Sequence, residues 1–100
     1  MQNKQDMIEL LRGLLPELRG EFGVKSLGIF GSFSSGTSSD ESDLDVLVEF
    51  DKPIGLRFVE FAEKLENSVN RSIDILTPEG LRSIRQPEII KSIENSVTYV

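Results

Sequence analysis

An α/β fold, with a small sheet covered on one side by helices, is what this 100-residue sequence predicts. Three observations lead there. Stretches with apolar residues every three or four positions alternate with short, nearly continuous apolar runs, the patterns of helices and strands in turn. Glycines and prolines gather where one pattern gives way to the next. The resulting order is helix, strand, loop, strand, helix, strand, helix. The length suits one domain over residues 1–100, large enough to bury a core without covalent staples.

From Lys4 to about Phe22, apolar residues fall at Met7, Ile8, Leu11, Leu14, Leu15, Leu18 and Phe22, one face of a helix. Pro16 removes a hydrogen bond and predicts a kinked helix or two short ones, ending near Gly20 to Gly23. Val24 to Phe30 reads as the first strand, with Gly31 ending it. Residues 33–42 are almost all small or polar and form a surface loop. Asp43 to Phe50 is the second strand, and Asp51 to Gly55 is a turn punctuated by Pro53 and Gly55.

Helical spacing returns from Leu56 to about Asn70 through Leu56, Val59, Ala62, Leu65 and Val69. Ser72 to Leu76 is a short third strand with Asp74 set between isoleucines. Thr77 suits an N-cap and Pro78 the first position of a helix. After Pro87 a last helix runs over Glu88 to Ser96. The tail Val97 to Val100 is apolar enough to pack back onto the domain.

Composition excludes several classes of chemistry. With no cysteine there is neither a disulfide nor a thiolate metal site, and a reducing cytoplasm is the expected location. With no histidine the commonest general base and the usual transition-metal ligand are gone, so any metal is held by oxygen. The net charge of -6 argues against direct grip on a nucleic-acid backbone. No apolar run approaches the roughly 20 residues that span a membrane.

The acids carry the chemistry that remains. Alternate strand residues share a face, so Asp43 and Asp45 project side by side, about 7 Å apart along the backbone. Carboxylates at that spacing can converge on cations roughly 3.5–4 Å apart, the two-metal arrangement of phosphoryl and nucleotidyl transfer. A solvated strand start accounts for the pair equally well. Asp74 either faces water on an edge or completes a three-carboxylate cluster, where it would share a metal or accept the proton of an attacking hydroxyl. Glu49 has the same parity but lies about 13 Å past Asp45, so it is assigned to solvent. A calcium loop fails on spacing, since Leu47 and Val48 fall where a ligand and the glycine belong. Gly31 permits close approach of a ligand to the backbone and Ser32 adds a hydroxyl. Alone, that dipeptide is a plain turn.

Gly31-Ser32, ten residues, Asp43-Leu44-Asp45 and a later lone Asp74 on a strand are together far more specific. The combination resembles the nucleotidyltransferases of the DNA polymerase β superfamily, and specifically the minimal nucleotidyltransferase (MNT) domains of prokaryotes. The likeness covers nearly the whole chain, through residues 22–32, 42–50 and 73–81. It implies a small mixed sheet with helices packed on one side. It implies that Gly31 and Ser32 hold the phosphates of ATP, that Asp43 and Asp45 bind catalytic Mg2+ as a pair of ions, and that Asp74 is the third carboxylate. It also implies an antitoxin that transfers AMP from ATP to a tyrosine of a HEPN-type ribonuclease toxin, releasing pyrophosphate. In one place the chain departs from the pattern: the arginine that members usually carry before Gly36 is Ser35 here. That departure keeps open an antitoxin acting by contact alone, or the use of another basic residue such as Arg57 or Arg71. Transfer to a small molecule is a third reading, disfavoured because the chain leaves little room for a substrate domain.

Overall fold

A computed structural model describes residues 4–31 and 43–100. Its elements are α1 (Lys4–Phe22), β1 (Val24–Phe30), β2 (Leu44–Phe50), α2 (Arg57–Val69), β3 (Ile73–Leu76), α3 (Pro78–Arg82), α4 (Pro87–Ser96) and β4 (Thr98–Tyr99). The strands form one mixed sheet in the order β3-β2-β1-β4. β1 runs antiparallel to both β2 and β4, whereas β2 and β3 are parallel.

The helix expected to kink at Pro16 runs unbroken from Lys4 to Phe22. Pro16 and Arg12, whose carbonyl loses its helical donor, are both exposed, so water can take that bond. The helix ends where Gly23 adopts φ +73° and donates its N–H to the Arg19 carbonyl at 3.0 Å. Thr77 caps α3 as expected, its Oγ1 accepting the Gly80 N–H at 3.2 Å, with Pro78 in the first turn. The apolar tail does return to the domain. It does so as β4, which pairs with Gly28 and Ile29 at the far edge from β3.

The two long helices cover one face of the sheet. Met7, Leu11 and Leu18 of α1 and Phe61, Leu65 and Val69 of α2 pack with Leu27, Ile29, Leu44, Val46 and Val48. Phe61 lies at its centre, edge-on to Phe22 at 5.4 Å and to Phe50 at 5.1 Å between ring centroids. Lys64 reaches from α2 to both Glu17 and Glu21 of α1, at 2.7 Å each, and clasps the helices from outside. On the opposite face the short α3 seals Leu47 beneath Leu81, and the rest of that face stays more open. Among the described residues no helix is long and apolar enough to cross a membrane.

Phe61 has no exposed surface and touches three other rings. Replacing it by alanine leaves a cavity that the sheet cannot collapse to fill. Phe61→Ala is expected to lose about 3–5 kcal/mol of stability, read as a lower urea midpoint at unchanged slope.

Candidate active site

Alternation along β2 puts Leu44, Val46 and Val48 into the core and turns Asp45 and Leu47 to the other face. β3 pairs with β2 in parallel register, and Asp45 and Asp74 are direct partners across the ladder. Paired residues of neighbouring strands point the same way, so their carboxyl groups stand side by side on the open face. The Leu44 N–H donates to the Ser72 carbonyl at 3.0 Å and carries the pairing one step further, to the point where Asp43 leads into the strand. Asp43 and Asp74 are exposed; Asp45 between them is half-buried.

Asp45 is the residue on which the site's electrostatics fall. Its burial raises its pKa first of all, then the charge of Asp74, then that of Asp43, and a side-chain hydrogen bond with Asp74 adds to the rise. A hydrogen bond between two carboxyl groups needs a proton between them. Without a cation, Asp45 therefore gives up its proton less readily than an isolated aspartate does.

Gly31 adjoins Asp45 from the other side, because Phe30 is the β1 partner of Asp45. The glycine has φ +71°, and a Cβ placed on it would run into Oδ2 of Asp45 and stand 3.1 Å from its Cγ. Gly31 is thus more than a turn residue, since its missing side chain is the space the carboxylate occupies. Ser32, Ser35, Asp40 and Glu41 lie outside the described residues.

The structure brings together Asp43, Asp45, Asp74 and Gly31 from three separate places in the sequence. Among the described residues no three acids are already drawn together as a metal cage. What the sheet supplies is adjacency of hard oxygen donors whose mutual repulsion a divalent cation would relieve, and that donor set fits Mg2+. Glu49 stays apart, paired with Lys25 at 3.8 Å. Of the two basic candidates, Arg57 is engaged at the other end of β1. Its Nη1 donates to the Glu21 carbonyl at 2.8 Å, it pairs with Glu60 at 3.7 Å, and it lies over the Phe22 ring at 4.8 Å. Arg71 is half-buried at the mouth of β3, on the acids' end.

One feature of the site goes unmarked by the acid motif. Beginning at Leu47, the next residue of β2 on the face of Asp45, a cavity of about 690 Å³ is bounded by Leu47, Leu81, Arg82, Ile90, Glu94 and Tyr99. Its signal was the parity of Leu47 with Asp43 and Asp45, since an apolar residue on an otherwise acidic face needs a cover. A further cavity of about 610 Å³, among Phe50, Ile54, Phe58 and Thr77, opens at the opposite ends of β2 and β3.

The family model for a nucleotidyltransferase domain matches residues 11–100. A provisionally named protein adenylyltransferase of Methanocaldococcus jannaschii is 35% identical over the full length of both chains. Protein adenylyltransferase MntA of Thermococcus cleftensis is 34% identical, over 100% of this chain and 98% of its own. A solved minimal nucleotidyltransferase superposes with TM-score 0.72 at 21% identity, covering 97% of this chain and 95% of that one. A chain from a complex of a tri-AMPylated Shewanella oneidensis HEPN toxin with an MNT antitoxin gives 0.53 at 20% identity, covering 97% and 67%. At such identities the structural likeness is one of fold.

The raised pKa of Asp45 has a definite sign in stability. The native state holds a proton more tightly than the unfolded chain, which releases it near about pH 4. Stability therefore falls as pH rises from there through the raised value. Asp45→Asn is expected to melt higher than the parent at neutral pH in chelator. The gain shrinks on acidification through that window and is absent below it. Gly31→Ala runs the other way, with the left-handed backbone alone costing on the order of 1–2 kcal/mol at any pH. Thermal melts of both variants across acid and neutral pH check the two expectations.

Proposed function

Because the chain belongs to the nucleotidyltransferase-domain family, we propose that it is a Mg2+-dependent protein adenylyltransferase that moves AMP from ATP to a tyrosine of a HEPN-type toxin, acting as its antitoxin. The observation that carries this reading is the direct pairing of Asp45 with Asp74 beside Asp43 on an open face. Relatives named as protein adenylyltransferases over their whole length support the reaction class. The fold shared with a chain of an MNT–HEPN complex supports the kind of partner. The absence of cysteine suits a reducing cytoplasm.

In this reading Asp43 and Asp45 would hold Mg2+, which would supply charge neutralisation at the phosphates and lower the pKa of the acceptor hydroxyl. Gly31 and Ser32 would hold the phosphates at the end of β1, where Phe30 pairs with Asp45. The tyrosine oxygen attacks the α-phosphorus, the bond from that phosphorus to the bridging oxygen of the β-phosphate breaks, and pyrophosphate leaves. The phenolic proton passes to Asp74, since a chain without histidine offers a carboxylate as base. Nothing in this scheme needs a basic groove for RNA, in keeping with the acidic net charge.

Ser35, in place of the family's usual arginine, favours a second reading in which the chain neutralises its toxin by contact alone. One assay separates the two. ATP labelled on the α-phosphate is incubated with Mg2+, this chain and its co-purified partner. Label is expected on the partner, lost in EDTA and lowered at least about a thousand-fold in Asp43→Ala and Asp45→Ala, the several kcal/mol that metal-assisted charge stabilisation supplies. An unlabelled partner in an intact complex would establish binding alone.

A further inference from the structure

We infer that the cavity between α3, α4 and β4 is the nucleobase subsite, and that it selects adenine through Glu94 and Tyr99. The inference rests on the nucleotidyltransferase reading and adds to it the residues that choose the nucleotide.

Its position comes from the sheet. Leu47 follows Asp45 by two residues on the same face, about 7 Å along the strand. It is the partner of Leu76 on one side and of Gly28 on the other, and Gly28 pairs in turn with Tyr99. An apolar row thus lies directly beside the acid row. A nucleotide whose phosphates sit at Asp45 extends its ribose and base by about that step.

The walls suit a flat, partly polar ring. Leu47 and Leu81, each 7% exposed, make an apolar floor, and Ile90 of α4 adds to it. Tyr99 is 57% exposed, although one edge of its ring rests on Gly28. A Cβ on Gly28 would come within 2.7 Å of Val97 Cγ1 and 3.1 Å of Tyr99 Cδ1, so this glycine is what lets the wall close on the sheet. An exposed aromatic beside an apolar floor is a stacking surface for a base. The volume of about 690 Å³ lies within the usual range of small-ligand sites, about 300–1,000 Å³.

Polarity on the rim sets the choice of base. Arg82 is paired with Glu79 at 3.7 Å, whereas Glu94 has no ion pair among the described residues. An ionised carboxylate only accepts hydrogen bonds. It attracts the exocyclic amine of adenine and repels the carbonyl oxygen that guanine carries at the same place. ATP is therefore preferred to GTP.

The chain contains one tyrosine and no tryptophan, so its near-ultraviolet fluorescence reports Tyr99 alone. The full chain with Mg2+ is titrated with ATP, GTP and inorganic tripolyphosphate, by calorimetry and by fluorescence corrected against free tyrosine. ATP is expected to quench Tyr99 to saturation and tripolyphosphate to leave it bright. Tyr99→Ala, folded by circular dichroism, weakens ATP about ten-fold without altering tripolyphosphate, and Tyr99→Phe restores the affinity. Glu94→Gln lowers the preference for ATP over GTP at least about five-fold. The inference is overturned if the variants leave ATP affinity and the ATP/GTP ratio unchanged while Asp45→Asn still abolishes binding. The nucleotidyltransferase reading then survives without this subsite. Equal weakening of ATP and tripolyphosphate by Tyr99→Ala also overturns it, as a purely structural effect. If the parent chain binds neither probe, both readings fall together.

Discussion

The parallel pairing of β3 with β2 is the constraint on which the rest depends, because it sets two aspartates against one another. Like charges directly opposite in a ladder oppose pairing. What holds the register is the other face of the same two strands. Leu44, Val46 and Val48 are fully buried, and Ile73 and Ile75 pack against that core. Burial of each such side chain is worth about 1.5–3 kcal/mol. Repulsion between two half-solvated carboxylates is about 1–4 kcal/mol at contact distances, and a shared proton or a cation removes it. A one-residue slip would save the smaller quantity and lose the larger several times over. The acid cluster is thus imposed by the core on a site that would not assemble it unaided.

That arrangement also makes the two ends of the sheet chemically different. At the Phe22 and Phe50 end, aromatic rings, Arg57 and the Lys64 clasp tie α1 to α2. Cations there are already committed to local partners. At the Gly31 end, the acids lie where β1 leaves the sheet and where β2 and β3 begin. Strand starts leave backbone and side chains facing outward with little packed over them, and this suits a place where a charged ligand must enter.

Much of this was legible along the chain. Helical spacing located α1 and α2 to within a residue or so, and parity alone set Asp43 and Asp45 on one face and Glu49 beyond their reach. Thr77 and Pro78 announced α3 by capping chemistry that is local by nature. What was not legible is non-local. Nothing in residues 72–76 states that Asp74 meets Asp45 rather than Asp43, since strand register depends on partners thirty residues away. Pro16 misled because its cost depends on whether the orphaned carbonyl faces water, and that is decided by which side of α1 meets the sheet. The tail became a strand because β1 had a vacant edge, a fact about the sheet rather than about Val97 to Val100.

Gly28 and Gly31 show how differently one residue type can act within four positions. Read in sequence, one is a weak point in a strand and the other its end. In the fold each is a side chain withheld so that another group can occupy the space: the ring of Tyr99 and Val97 over Gly28, the carboxylate of Asp45 against Gly31. Only the second also needs its left-handed backbone. Both spaces are filled by the protein itself, one by the wall that closes on the sheet and the other by the carboxylate. The physical reason for both glycines is therefore the same: a side chain at either place would collide with a group that the fold has already set there.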